Sequence, residues 1–156
     1  MRGYEFQASV PFDIIHEALD GFGIVASATF MDGKLDDGGR VPGLSEEIYT
    51  LTAYYEFKGF EFRISGTKRD EFQTEERGLS LSLVPVNRKG TELWDAQVGY
   101  DFSESGIDAL DGLRVTLQAQ NLTDEKDISN SGDDTRQVVT YQSFGRNYML
   151  GLNYKF

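Results

Sequence analysis

The residues of this sequence that could support catalysis are few and poorly grouped. The chain contains one histidine, His16, within the segment Asp13-Ile14-Ile15-His16-Glu17. No serine or threonine stands in a pattern that would give a nucleophile a positioned base, which covalent hydrolysis requires. We therefore predict that His16 is a surface residue and that the chain has no enzymatic activity.

One acidic, glycine-rich segment could be taken for a metal-binding loop. Asp32, Asp36 and Asp37 lie among three glycines between residues 32 and 39. The segment lacks the regularly alternating ligands and the terminal glutamate of a known calcium loop. We interpret it as a solvated turn, and the sequence predicts neither a metal nor another cofactor.

Composition excludes several classes of protein. The 156 residues are enough for one domain, and the net charge of -11 argues against a nucleic-acid partner, which calls for a basic patch. Cysteine is absent, so there are no disulfides or thiolate metal sites. No apolar run approaches the roughly 20 residues of a transmembrane helix. Average hydropathy does not exclude a membrane β-barrel, because its strands alternate lipid-facing with polar residues.

The elements that would position the polar side chains are β-strands, because apolar and polar residues alternate with a period of two. At the C-terminus one face carries Tyr148, Leu150, Leu152, Tyr154 and Phe156, and the other carries Met149, Gly151, Asn153 and Lys155. The same alternation predicts seven strands, at about 3–12, 21–31, 48–57, 60–69, 93–102, 112–121 and 137–156, with a potential break near Gly145.

The predicted connections alternate in length. Residues 13–20, 58–59 and 103–111 are short joins, whereas 32–47, 70–92 and 122–136 are long and polar. Aromatic residues mark both strand ends, with Phe30, Tyr49, Trp94 and Tyr148 on the long-loop side and Phe12, Phe22, Phe57, Phe60, Phe102 and Phe156 on the short-turn side. Short turns, long loops and two aromatic girdles are typical of outer-membrane barrels. We therefore predict an all-β, antiparallel, up-and-down transmembrane β-barrel structure.

Four segments in this order resemble the C-terminal part of the TonB-dependent outer-membrane receptors. They are Val41-Pro42-Gly43-Leu44-Ser45-Glu46; Phe62-Arg63-Ile64-Ser65 with Arg69-Asp70-Glu71-Phe72; Asn121-Leu122-Thr123-Asp124-Glu125; and Gly145-Arg146-Asn147-Tyr148 leading to Tyr154-Lys155-Phe156. The resemblance implies that residues 1–156 are seven C-terminal strands of a 22-stranded barrel, without its plug domain. It makes Tyr148, Gly151, Tyr154 and Phe156 the C-terminal barrel signature.

The resemblance also implies a function in the bacterial outer membrane, namely active uptake of a siderophore, vitamin or oligosaccharide energised through TonB. The implied partners are outer-membrane lipid, the rest of the barrel and its plug, a small nutrient, and indirectly the TonB complex. Ligand capture in this family involves outer loops and the plug surface. The candidate ligand-binding residues here are Arg40, Arg77, Arg88 and Trp94.

Two other interpretations stay open. A complete small outer-membrane barrel with a structural or adhesive role would need an eighth strand, and residues 78–86 are the only segment that could supply it, although Pro85 argues against a central strand there. A soluble ligand-binding β-barrel would turn the apolar face inward around a cavity. Leu51, Val98, Leu117 and Leu152 would then pack together in a compact centre.

Overall fold

The computed structural model describes residues 1–77, 82–132 and 134–155, and these are built from antiparallel strands. The strands are β1 (Arg2–Pro11), β2 (Phe22–Asp32), β3 (Glu47–Phe57), β4 (Phe60–Arg69), β5 (Phe72–Arg77), β6 (Leu83–Arg88), β7 (Thr91–Asp101), β8 (Leu113–Gln120), β9 (Lys126–Ser131), β10 (Val138–Ser143) and β11 (Asn147–Tyr154). Among the described residues, no helix has the length and apolar character needed to cross a membrane.

Seven strands form one sheet, in the order β1-β2-β3-β4-β7-β8-β11. Every neighbouring pair is antiparallel. Apart from β5, β6, β9 and β10, which belong to a second sheet, the strands lie in the sheet in the same order as in the chain. Six of the seven predicted strands are confirmed with small shifts at their ends, and of the seventh, 137–156, only Asn147–Tyr154 belongs to this sheet. The sheet is open, because β1 and β11 lie at its two edges and each pairs with a single strand.

The three short joins are tight turns at one end of this sheet. Single 3-10 turns at Phe12–Ile14 and Glu17–Leu19 connect β1 to β2, and equivalent turns at Phe102–Glu104 and Asp108–Leu110 connect β7 to β8. The β3–β4 turn consists of Lys58 and Gly59, with φ of 45° and 80°. Positive φ at both central residues is the mark of a type I′ hairpin turn, which matches the twist of the strands. The alternation of short turns and long loops is thereby confirmed.

One glycine in each short join is fixed against the end of a neighbouring strand. The three have φ near +80°, and each carbonyl accepts a backbone N–H bond of 2.8–2.9 Å: Gly21 from Glu56, Gly59 from Asp101 and Gly112 from Lys155. A Cβ on these glycines would lie 2.1, 2.5 and 2.3 Å from the carbonyl oxygens of the same three residues. Only glycine fits, because both the left-handed backbone and the close approach exclude a side chain.

Four short strands form a second sheet beyond the long-loop end, in the order β10-β9-β6-β5. The expectation that 70–92 and 122–136 are only loops is wrong, because β5, β6 and β9 lie within them. The predicted strand 137–156 is divided at residues 144–146, and its first part, β10, pairs with β9 rather than with β8. Six-residue strands of mixed polarity carry too little alternation to be recognised as separate elements.

The segment considered for an eighth barrel strand belongs to this second sheet. Residues 78–81 lie outside the described residues, and Leu83–Arg88 is β6, paired with β5 and β9. Only residues 86–88 of β6 pair with β9, so Pro85 lies just outside the doubly paired stretch. Proline is tolerated there because its missing N–H is not required for the ladder to β9.

The seven-stranded sheet has no apolar core. Among the described residues Val86, in the second sheet, is the one buried hydrophobic side chain, at 1% exposure. Leu51, Leu117 and Leu152 are 42%, 48% and 67% exposed. The accessible surface is 11,117 Å², whereas a compact monomer of 17.5 kDa would expose about 7,900 Å². The apolar side chains therefore cover one face of a sheet, and no other described part of the chain packs against that face.

Candidate functional site

The apolar face of the seven-stranded sheet carries aromatic clusters at both ends. On the long-loop side the ring centroid of Phe30 lies 6.3 Å from that of Phe6 and 5.7 Å from that of Tyr49, both in edge-to-face geometry. On the short-turn side Phe22 and Tyr55 stack at 4.0 Å. Phe22 lies directly opposite Tyr55, whereas Phe30 is diagonal to Phe6 and Tyr49, and aromatic side chains on one face are long enough to meet in both arrangements. The arrangement agrees with the two girdles expected from the sequence.

Trp94 lies within β7, on the apolar face, and not in a loop. Its indole covers Gly66 of β4, where a Cβ would lie 2.8 Å from the ring. The indole nitrogen donates to Glu92 Oε1 at 3.1 Å. The absence of a side chain at Gly66 therefore leaves room for the Trp94 ring, which packs over this glycine from the neighbouring strand. This placement separates Trp94 from the three arginines that were grouped with it as ligand-binding candidates.

The opposite face of the sheet is polar and internally bonded. Side chains form rungs between neighbouring strands, such as Ser27 with Thr50 at 2.6 Å and the amide of Gln118 donating to Gln97 at 3.0 Å. Arg114 of β8 forms an ion pair with Glu61 of β4. The Gln97–Gln118 and Glu61–Arg114 pairs are partly buried, and their mutual bonds satisfy polar atoms that have limited access to water. The face suits contact with water or with another polar protein surface.

Arg69 connects two of the segments that carry the family resemblance. Its Nε donates to Ser45 Oγ at 2.6 Å and its Nη2 to the Gly43 carbonyl at 2.9 Å, while its guanidinium lies 3.9 Å from the Phe72 ring centroid. Ser45 is completely buried. The loop of residues 41–46 is thus held against the outer end of β4 by one arginine, and the two segments act as one structural unit.

The other two segments also meet. The Asn121 side-chain amide donates to the carbonyl of Gly145 at 3.0 Å, and Arg146 Nε donates to the carbonyl of Leu122 at 2.8 Å. Asn121 adopts φ of 53°, a left-handed conformation that asparagine tolerates better than most residues. Its Oδ1 accepts the backbone N–H of Glu125 at 2.7 Å. This connection fixes the geometry at which the chain leaves β8 and enters β11.

Arg88 lies in the interior of the four-stranded sheet. Its guanidinium lies 3.6 Å from a Glu76 carboxylate oxygen and 3.5 Å from one of Asp127. The sheet curls so far that Thr140, on one edge strand, donates to Glu76, on the other, at 3.2 Å. Arg88 is about one-third exposed and already faces two carboxylates. Its charge is therefore largely balanced by Glu76 and Asp127, and these ion pairs join three strands of the sheet.

Arg40 and Arg77 are more accessible than Arg88. Arg40 is 62% exposed on its side chain, and its guanidinium lies 3.8 Å from Glu71, which is 68% exposed. Such an exposed ion pair is weak, so another anion can replace Glu71 beside Arg40. Arg77 ends β5 and is exposed at the far end of the second sheet. The structure does not gather the four candidates Arg40, Arg77, Arg88 and Trp94 into one pocket.

The C-terminal signature residues lie on β11. Tyr148 and Tyr154 are 62% and 54% exposed on the apolar face, and Gly151 lies on the polar face opposite Thr116. Phe156 lies outside the described residues. The apolar face of β11 is therefore continuous with that of β8, as the alternation predicts.

The acidic loop and the histidine have local structural roles. Asp32 pairs with Arg2 at 3.4 Å, and Asp37 Oδ1 accepts the backbone N–H of Gly39 at 2.9 Å. In the described ranges no group of three or more acidic, histidine or cysteine side chains is placed to hold a metal ion. His16 is exposed, and its Nδ1 accepts the backbone N–H of Ala18 at 3.0 Å. His16 is thus a surface residue, as predicted.

One loop carboxylate has a perturbed pKa. Hydrogen bonds from the Arg136 side chain, and then from its backbone N–H, lower the pKa of Asp134 below its usual range. The contacts are bidentate, with Nε on Oδ1 at 3.0 Å and Nη2 on Oδ2 at 2.9 Å. They shape the turn between β9 and β10, and Arg136 itself is 89% exposed.

The sheet order, the two dissimilar faces and the unequal ends together define the fold as part of an antiparallel up-and-down β-barrel. The crystal structure of the ferric citrate transporter FecA in its unliganded form is similar, with a TM-score of 0.69 and 24% sequence identity. The match covers 97% of this chain and 23% of the FecA chain, so this chain spans about a quarter of that structure. No family model and no curated protein matches the sequence.

Proposed function

We propose that this chain forms part of the barrel wall of a TonB-dependent receptor that imports a scarce nutrient across the bacterial outer membrane. The observation that carries the proposal is the uncovered apolar face, bounded at both ends by aromatic rings. Lipid is the partner that such a face requires, because a membrane strand is apolar outward and polar toward the lumen. The FecA likeness supports the same barrel geometry.

The open edges support a larger barrel. β1 and β11 each leave one row of backbone N–H and C=O groups without a strand partner in the described sheet. In hydrocarbon each unsatisfied group costs several kcal/mol, so a spanning sheet must close. We propose that residues 1–156 are C-terminal strands of a receptor barrel and that other strands of the complete protein complete the ring. The 22 strands implied by the family resemblance are part of this proposal.

Neither alternative explains the same observations as well. A soluble barrel would bury Leu51, Leu117 and Leu152, which are 42–67% exposed. A complete small barrel would close with an eighth strand, whereas β6 lies in the second sheet and β1 does not meet β11. The proposal includes no enzymatic step and no resident cofactor.

We propose the long-loop end as the ligand-facing side. Arg40 and Arg77 are the most available cations among the candidates, since Arg88 faces Glu76 and Asp127 and Trp94 lies on the apolar face. Exposed arginines suit an anionic ligand because their guanidinium can bind carboxylates in bidentate fashion. A negatively charged iron chelate would fit this chemistry better than a neutral oligosaccharide.

Uptake by cells tests this function directly. Cells that produce the intact protein should take up iron citrate, cobalamin or a maltodextrin in a manner that requires TonB. If the ligand is anionic, we expect the double variant Arg40→Ala, Arg77→Ala to reduce uptake at subsaturating ligand about a hundredfold, because each lost charge-assisted contact weakens binding about tenfold. Arg136→Ala is the control, because the Arg136 side chain is more exposed than that of Arg40, at 89% against 62%, but is bonded to Asp134 in its own loop.

The outcomes are distinct. Uptake that persists without TonB would contradict the proposed receptor function. If TonB-dependent uptake is the same in the double variant and in the control, Arg40 and Arg77 do not contact the ligand. The proposed receptor function would be unaffected by that result.

A further inference from the structure

The second sheet continues the main sheet strand by strand. β4 leads into β5, β6 into β7, β8 into β9 and β10 into β11, each through a link of two to five residues. The order β5-β6-β9-β10 therefore repeats the order β4-β7-β8-β11 of the main sheet. Within the described chain, β11 is an edge of the main sheet and β10 is the corresponding edge of the second sheet. The two edges therefore lie on the same side of the molecule, one beyond the other.

The junction between β10 and β11 is fixed to its neighbour. The Asn121 side chain donates to the Gly145 carbonyl at 3.0 Å, and Arg146 donates to the Leu122 carbonyl at 2.8 Å. These bonds tie the link between β10 and β11 to the link between β8 and β9. As a result, β10 follows β9 in the second sheet just as β11 follows β8 in the main sheet.

The backbone of β10 directs hydrogen-bonding groups toward its open side. Ser131 donates its N–H toward β10, to the carbonyl of Gln137 at 2.8 Å. Backbone groups alternate in direction along each strand, and the register of β9 with β10 then directs Thr140 toward β9. By the same alternation Tyr141 and Ser143 direct their N–H and C=O groups away from β9. These are the groups that a further strand would bind.

The two edges of the second sheet differ in charge. β10 carries no charged residue, and Val138, Val139 and Tyr141 are 48–58% exposed. β5, at the opposite edge, carries two glutamates and an arginine. Charged side chains protect a free edge from pairing, whereas β-branched and aromatic residues favour it. β10 is therefore the edge that is suited to receive another strand.

We propose that the strand of the complete protein that pairs with β11, here called the closing strand, continues past β11 and pairs with β10. The inference rests on the proposed function, because the closing strand comes from the rest of the receptor barrel. It deepens that function by extending closure of the barrel into the second sheet. To reach Tyr141 the closing strand extends up to about 20 Å past β11, because residues 141–146 rise about 3.3 Å each. A strand already paired with β11 meets β10 at a high effective concentration, which a second copy of the protein lacks.

Hydrogen exchange of the intact protein in lipid vesicles, read at single residues, tests the pairing. Relative to their intrinsic rates, the Tyr141 and Ser143 amides should exchange at least about a hundredfold more slowly than the Glu75 amide. Glu75 is the control because it points away from β6 at the other edge, in the same direction as the Gln73 carbonyl that bonds Gly43. Exchange at Tyr141 and Ser143 as fast as at Glu75 would overturn the proposal.

Photocrosslinking identifies the strand that occupies this edge. Benzoylphenylalanine in place of Leu150, on β11, marks the closing strand, and the same residue in place of Tyr141 marks the occupant of β10. We expect both crosslinks to form within one molecule and to reach one segment outside residues 1–156, at positions about ten residues apart, since antiparallel partners advance together. A crosslink from residue 141 between two molecules, to another segment, or to none would overturn the proposal.

Uptake measurements on the same protein separate this proposal from the proposed function. If uptake requires TonB and residues 141 and 143 exchange as fast as residue 75, only the pairing at β10 fails. If uptake does not require TonB, the receptor function fails, whereas a crosslink from residue 141 to the closing strand would still establish the pairing.

Discussion

Replacing Gly112 by alanine is expected to lower the free energy of unfolding of the intact protein by about 3 kcal/mol, the sum of a left-handed backbone penalty and a steric overlap. The glycine has φ of +80°, and an added Cβ would lie 2.3 Å from the Lys155 carbonyl oxygen. The turn and the end of β11 must separate to admit it. Urea unfolding of the protein in lipid vesicles measures the loss.

Gly106 is the matched control, because it lies in the same join between β7 and β8. It has φ of +72°, but a Cβ there would meet nothing within 4 Å. Gly106→Ala should therefore cost only the backbone penalty, about 1 kcal/mol. Equal losses for the two variants would show that the contact between Gly112 and the end of β11 contributes nothing.

A lysine in place of Leu117 is expected to destabilise the protein by about 2–4 kcal/mol, the range for a cation on the lipid face near the bilayer midplane. Leu117 lies near the middle of β8, between Val98 and Leu150 on the apolar face, and is 48% exposed. In hydrocarbon the ammonium would lose its hydration with no carboxylate opposite it. The same unfolding assay in lipid vesicles measures this difference.

The neighbouring residue provides the comparison. Thr116 lies on the polar face of β8, between Gly99 and Gly151, so a longer side chain has room. Thr116→Lys should change the free energy of unfolding by no more than about 0.5 kcal/mol, as for other solvated substitutions. A larger loss at Thr116 than at Leu117 would mean that the two faces have been assigned the wrong way round.

The main sheet could be predicted from sequence because its strands are long. Strands of eight to eleven residues, such as β3 and β7, alternate over enough positions to indicate which residues share a face, although Tyr54 and Leu93 depart from the pattern. The two-residue turn at Lys58-Gly59 fixed one hairpin, and the aromatic residues at strand ends indicated the girdles. The topology followed from the order along the chain, since up-and-down strands pair with their neighbours.

The second sheet could not be predicted because its strands are short and their pairing is non-local. β6 contains a proline and pairs with β9, about 40 residues away. Nothing in the local pattern indicates that Arg88 would meet both Glu76 and Asp127. Side-chain contacts of this kind depend on how far the sheet curls, and curling is a property of the assembled strands.

The contacts that hold the long loops also cannot be predicted from the sequence, although their residues lie in the segments that resemble the receptor family. The segments around Ser45 and Arg69 are separate in sequence, and the hydrogen bond between these two residues joins positions 24 apart. The sequence does contain one signal for the short joins, because Ala-Leu-Asp-Gly occurs at 18–21 and again at 109–112. Both copies end in a glycine fixed against a neighbouring strand.

The central claim is that the apolar face contacts lipid and the polar face does not. The chain has no cysteine, so Leu152→Cys and Asn153→Cys each introduce a single site for a thiol-reactive label. Any cysteine elsewhere in the intact protein is first replaced by serine. The two residues are adjacent on β11 and point to opposite faces. A fluorophore at each position is tested with brominated lipids, which quench only on contact. We predict strong quenching at residue 152 and little at residue 153; stronger quenching at residue 153 would contradict the account.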